Sequence, residues 1–292
     1  MSHNAEDGRF SGVDSVKYTK CLIIICIIVG VCFPLFDITS EKANSAVRAE
    51  QNKENNEISL IEVDNVSNQP LRIGERLTYN IKVSWVPVSA GKRVDHIEKK
   101  ISYQRKSVYH ITSEAKTGSV ASKIHRFQNR QSTFLNSVGF FPLSFRNQLV
   151  DKKYTARVEI NFQDDKAEYE KISQNKPKDP EKHEKKVIEI PFGTQDELSM
   201  IYFLRCKKLE PGKKYFFPLI IKAKVVKISI SVAQGEKLKI KGLGRVKTLV
   251  VTTSHGYQLW LTDDNRHIPV RIEAEAKIGK MKANLEKREF VK

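Results

Sequence analysis

From Leu71 onward apolar and polar residues alternate, with Leu77, Tyr79, Ile81, Val83 and Trp85 on every second position. A strand turns successive side chains to opposite faces, so this period predicts a strand with one face buried. Further alternating or β-branched segments follow at "HIEKKISYQ", "SVYHITSEA", "YTARVEINF", "KVIEIPF", "YFFPLIIKAKVVKISISVA", "RVKTLVVTT", "GYQLWL" and "IPVRIEAEA". Pro211-Gly212 marks a turn, and "AQGEKL" and "TDDNRH" are hairpin candidates, because Gly235 and Asp264-Asn265 tolerate the backbone that tight turns demand. The strands are therefore expected to run antiparallel. "GSVASKIHRF" predicts a weak helical turn, and the charge-rich "SQNKPKDPEKHEKK" a solvated loop rather than a nucleic-acid arm.

One stretch departs from this period. "GTQDELSMIYFLRCKK", Gly193 to Lys208, predicts a helix from Thr194 to Lys208, with Thr194 and Glu197 at capping-box spacing and Lys207 and Lys208 suited to its far end. Between them Leu198, Met200, Ile201, Tyr202, Phe203, Leu204 and Cys206 leave almost no polar face, so the helix must be surrounded on most sides. The expected fold is mainly β: a strongly curved antiparallel sheet or open β-barrel enclosing one principal α-helix.

Ahead of the β region lies "CLIIICIIVGVCFPLF", an apolar run over residues 21–36 preceded by Lys17 and Lys20. It predicts an N-terminal hydrophobic helix that addresses the chain to a membrane, as a signal peptide or an anchor. Ala43-Asn44-Ser45 offers a small-residue cleavage site, whereas the twenty residues before the run are long for a signal, so both readings stay open. Val29-Gly30-Val31 before Cys32 argues against a lipidated cysteine. The expected organisation is a cytoplasmic leader over 1–20, the membrane-directed segment over 21–36, a flexible linker over 37–70, and a single β-rich domain over 71–292.

The net charge of +17, from 51 Lys and Arg against 34 Asp and Glu, favours anionic neighbours such as lipid headgroups through long-range attraction; a solvated basic surface accounts for it equally. The expected partners are the membrane, through residues 21–36, and an anionic lipid or hydrophobic ligand; no nucleic acid is expected. Three of the four cysteines lie in the apolar run, which leaves Cys206 without an intrachain disulfide and reads as a buried, inert thiol.

Candidate chemistry is sparse. Asp196 and Ser199 form a potential base and nucleophile one turn apart, but no histidine lies nearby in sequence to orient them, and capping explains both. Asp263 and Asp264 form a carboxylate pair at a hairpin tip, where turn formation explains them. Trp85 and Trp260 sit in apolar strand patterns, as core or as lining of a ligand pocket. The seven histidines show no metal-ligand spacing, and no glycine-rich phosphate loop or G-x-S-x-G elbow occurs, so no cofactor or metal is expected and the chain reads as a non-enzyme.

Three blocks carry a resemblance. "LRIGERLTYNIKVSWVPVSAGK", "PFGTQDELSMIYFLR" and "LWLTDDNRHIPVRIEAEAKIGKMKANL" resemble, in order, the motifs of the bacterial domain of unknown function 3108 family. The motif positions stand here as Gly74, Glu75, Leu77 and Tyr79; Gln195, Asp196, Leu198, Ser199, Tyr202, Leu204 and Arg205; and Trp260, Asp263, Asp264, Arg266, Pro269 and Val270. The resemblance implies an exported envelope protein, its domain in the periplasm, without an assigned activity. The implied fold is similar to the open barrels of lipoprotein carriers, with the concave side of the sheet available to a hydrophobic ligand. The alternatives are a structural or assembly partner with a self-filled core and, less favoured, a hydrolase of envelope polymers.

Overall fold

A computed structural model describes residues 57–65, 70–84, 89–276 and 279–291. The expectations for residues 1–56, and for Trp85, lie outside them. Among the described residues no helix is long and apolar enough to cross a membrane.

The chain first lays down a meander. The short strand β1 (Glu57–Ser59) is followed by β2 (Glu75–Val83), β3 (Gly91–Tyr103), β4 (Lys106–Thr117), helix α1 (Ser119–Ile124), β5 (Phe127–Asn136), β6 (Pro142–Asp151), β7 (Tyr154–Phe162), β8 (Lys166–Gln174) and β9 (Lys182–Glu189). Helix α2 (Ser199–Arg205) then leads into a second meander: β10 (Lys214–Ile221), β11 (Lys224–Gln234), β14 (Thr248–Thr253), β15 (Tyr257–Thr262), β16 (Pro269–Ala276) and β17 (Gly279–Phe290). A small ribbon, β12 (Leu238–Ile240) with β13 (Gly244–Val246), interrupts the passage from β11 to β14.

The two meanders make one sheet of 15 strands because β17 pairs with β2, giving the order β1-β10-β11-β14-β15-β16-β17-β2-β3-β4-β5-β6-β7-β8-β9. Among the described residues β1 and β9 have no partner on their outer sides, so the sheet is open and not a closed barrel. The alternation read in the sequence appears directly in β2, where Leu77, Tyr79, Ile81 and Val83 are buried and the positions between them are not. Inward residues from both meanders and from α2, among them Tyr79, Ile111, Phe127, Tyr202, Phe203 and Phe217, form one contiguous core.

Several expectations need correction. β1 pairs in parallel with β10, and Leu60 beside it is fully buried, so the folded part begins ahead of residue 71 and the sheet is not wholly antiparallel. The stretch read as a solvated loop over 173–186 contains the start of β9, an edge strand whose exposed lysines keep it soluble. "YFFPLIIKAKVVKISISVA" is two strands, reversed at Lys222 and Ala223 with φ of 48° and 57°. Gly235 does not close a simple hairpin, because the β12–β13 ribbon follows it. The helix is also shorter than predicted, Ser199–Arg205 instead of Thr194–Lys208.

Candidate functional site

The segment from Gln195 to Arg205 connects the two halves of the sheet. The Gln195 amide donates to the Pro218 carbonyl at 2.9 Å and its carbonyl accepts from Ile220 N at 2.9 Å, which docks it on β10. Its side-chain amide donates to the Phe140 carbonyl, 3.2 Å away in the connection between β5 and β6. One residue thus ties both meanders.

Asp196 starts the helix. Its Oδ1 accepts from Leu198 N at 2.8 Å and Ser199 N at 2.7 Å, Ser199 Oγ accepts in return from Asp196 N at 2.8 Å, and Met200 N donates to the Asp196 carbonyl. This is a reciprocal cap in which Asp196 and Ser199 take the roles predicted for Thr194 and Glu197. Thr194 instead donates its hydroxyl to the Pro191 carbonyl. The second oxygen of Asp196 accepts from Thr133 Oγ1 of β5 at 2.8 Å. Burial raises the Asp196 carboxyl to about 6 against the donors that favour its anion.

Beneath this turn the inner face of the sheet is unexpectedly polar. Asp95, Ser113, Gln131 and Asn147 are successive cross-strand partners on β3 to β6, all buried. Arg93 Nε donates to Asp95 Oδ1 at 2.8 Å, and Ser113 Oγ donates to the same oxygen at 2.6 Å. Glu197 hangs over the row, with Gln131 Nε2 donating to its Oε2 at 3.4 Å. By accessible surface Glu197 is half-buried. Desolvation, then the Asp196 charge, pushes Glu197 up to about 8, while the Gln131 hydrogen bond and Lys222 pull it back; burial and the Glu197 charge raise the Tyr257 hydroxyl. Burial thus raises both adjacent carboxyls, Glu197 further than Asp196.

At the far end of α2, Arg205 is fully buried. Its Nη1 lies 2.8 Å from Glu75 Oε2, its Nη2 donates to the Pro70 carbonyl at 3.4 Å, and its Nε to the Arg266 carbonyl at 3.3 Å. Arg288 Nε donates to the other Glu75 oxygen at 2.8 Å. Desolvation pushes the Glu75 carboxyl up, but the two guanidiniums outweigh it and hold the group below its usual range. Gly74, beside it, has φ of 82°, and a Cβ there would stand 2.3 Å from the Val291 carbonyl oxygen, so only glycine fits.

The remaining predicted residues divide. Tyr79 donates its hydroxyl to the Pro269 carbonyl at 2.9 Å, and the Tyr202 ring stands 5.6 Å from the Arg205 guanidinium. Asp264 accepts from Thr262 Oγ1 and Arg266 N and pairs with the Arg266 side chain, while Asp263 turns to Gln234, so the two do not act as a carboxylate pair. Trp260 is buried on β15 with the Arg271 guanidinium 5.1 Å from its ring. Cys206 is buried, its thiol pushed up to about 12 by desolvation. Among the described residues no group of three or more His, Cys, Asp or Glu could hold a metal ion. Arg93, Asp95, Gln131 and Asn147 were missed from sequence; the signal was a charge at inward positions of an alternating strand, in "GKRVDHI".

The three sequence blocks thus meet at α2, through Glu75 with Arg205, Tyr79 with Pro269, and Arg205 with Arg266. The family model described as "Protein of unknown function (DUF3108)" matches residues 78–286. The chain belongs to this family. The DUF3108 match spans Tyr79, all of α2 and the Trp260–Val270 hairpin. No curated protein matches the chain. Among solved structures it is similar to a beta-barrel-like protein of domain of unknown function DUF1849 from Brucella abortus, with a TM-score of 0.47 and 14% identity over 76% of this chain and 100% of that one. It is also similar to a putative exported protein with YmcC-like fold from Bacteroides fragilis, with a TM-score of 0.33 and 10% identity over 75% of this chain and 97% of that one.

Proposed function

We propose that the protein is a non-enzymatic component of the bacterial cell envelope that serves as a structural or assembly partner, with an interior filled by its own side chains. The observation that carries this reading is the use made of the motif residues. Tyr79, Asp196, Ser199, Arg205, Asp264 and Arg266 each spend their polar groups on hydrogen bonds or ion pairs within the chain, and the first four are buried. A hydrophobic ligand on the concave side would have to displace α2, whose burial includes Ile201, Tyr202, Phe203 and Leu204. Hydrolase chemistry at Asp196 would need substrate to reach a carboxylate already committed to three donors. The envelope placement rests on the apolar run at residues 21–36, which joins the chain to the membrane as an anchor or directs its export as a signal.

The test is organic extraction of the purified full-length protein followed by mass spectrometry. The self-filled reading expects no lipid in molar proportion to protein. One lipid per chain, retained by a domain freed of residues 21–36, would establish a carrier instead.

A further inference from the structure

On the face of the sheet turned away from α2, β2 to β6 enclose an open groove of about 670 Å³. Its floor contains a single cross-strand row, since Arg76, His96, Thr112, Ser132 and Arg146 are successive register partners on five adjacent strands. The neighbours of these residues along each strand, such as Leu77, Ile97 and Ile111, are buried on the inner face, so the row points outward. It places a guanidinium at each end, with an imidazole and two hydroxyls between them.

Both acids of the groove have partners within the chain. Glu98 accepts from Thr112 Oγ1 at 2.9 Å and lies 2.9 Å from His110 Nδ1, while Glu114 accepts from Gln128 at 2.7 Å and from Arg130 at 3.3 Å. Arg130 is thereby spent. Arg146 has only Glu159, 3.8 Å from its Nε, as a carboxylate partner. Arg76 and His96 both line the groove; their Nε and Nε2 atoms are shielded from solvent and have no hydrogen-bond partner among the described residues, and Glu289 on β17 is the cross-strand carboxylate neighbour of Arg76. A planar guanidinium with a free edge suits a phosphate oxygen pair. The two arginines stand on strands four spacings apart, about 19 Å along the sheet, a span that their long side chains can shorten.

We propose that this groove binds a sugar-sized ligand bearing at least two phosphate groups, with Arg76 and Arg146 each holding one phosphate and His96 and Ser132 bordering the atoms between. The ligand is either a free phosphosugar or the phosphorylated headgroup of a lipid. The proposal does not depend on how the interior is filled, because the groove lies on the opposite face.

The test uses full-length protein, with glucose 1,6-bisphosphate binding followed by calorimetry in detergent and, in parallel after detergent removal, co-sedimentation with phosphatidylcholine vesicles with or without phosphatidylinositol 4-phosphate, whose ring carries two phosphates. Wild type is compared with Arg76→Gln/Arg146→Gln and with Arg146→Gln alone, whose side chain is exposed, each checked for an unchanged circular dichroism spectrum. Lys152→Gln, outside the groove, is the charge control. Bisphosphate binding that weakens at least tenfold in the groove variants but not in Lys152→Gln supports a free phosphosugar. Binding selective for vesicles with phosphatidylinositol 4-phosphate, with the same dependence, supports a headgroup. Binding equal in wild type and groove variants, or no binding of either probe at millimolar concentration, overturns the proposal.

Discussion

Arg205 and Glu75 meet at 2.8 Å with both side chains buried, joining the last turn of α2 to the first residue of β2. A charge pair out of contact with water is held by its partners more than it stabilises the fold, since desolvation cancels much of the attraction. Removing one member strands the other. Glu75→Gln or Arg205→Met alone is therefore expected to cost about 3–5 kcal/mol, whereas Glu75→Leu/Arg205→Met recovers much of the loss. Urea unfolding of the three variants checks this; single variants within about 1 kcal/mol of wild type would contradict a buried ion pair.

Asp196 and Thr133 make a second such link, from the helix cap to β5. Asp196→Ala is expected to lose about 2 kcal/mol, the upper end for a cap, because a cross-sheet bond goes with it. Thr133→Val should lose about 1 kcal/mol. Their effects should be non-additive in a double-mutant cycle, and simple additivity would mean that the 2.8 Å contact carries no energy.

Glu197 gives the protein a pH dependence of unusual sign. Its carboxyl is raised to about 8 and that of Asp196 to about 6, so the folded chain binds protons that the unfolded chain has already released. Their contribution is fully present below the ordinary carboxylate range and is lost as pH rises through about 6 and then about 8. Each group adds a slope approaching about 1.4 kcal/mol per pH unit within its window. Glu197→Gln should flatten the decline between pH 5 and 8 relative to wild type. Parallel stability curves for the two proteins would refute the assignment.

Cys206 should behave as an inert thiol. With its pKa pushed up to about 12 and its side chain buried, it should resist a maleimide in the native state and react only at the rate of unfolding. Labelling of folded protein within minutes at pH 7 would show an opening that exposes α2.

The strand period of β2 and the apolar girth of α2 were readable because each follows from one residue's choice of face. Three things were not. The reversals at Gln104-Arg105 and Lys222-Ala223 carry positive φ without glycine or asparagine, so nothing local marks where "YFFPLIIKAKVVKISISVA" folds back. The parallel pairing of Glu57–Ser59 with β10 depends on residues more than 150 positions away, in a segment too short to show a period. The polar inner row was hidden because Asp95 and Gln131 look like solvent-facing positions until the register places them against Ser113 and the α2 turn. Candidate residues were found where they recur as motif, yet their partners were carbonyls, such as those of Pro269 and Arg266, which leave no mark in sequence.

The pairing of β17 with β2 places a late strand in the middle of the sheet, where Asn80 and Glu286 bond across 206 positions of chain. Each meander can form by local hairpins, but the seam between them must wait. Until β17 arrives, β2 and β16 each present a bare edge to the surroundings, and a chain threaded across a membrane residue by residue would expose those edges for the whole transit. In order of synthesis the central joint is the last pairing to become available, because β17 follows every other strand among the described residues.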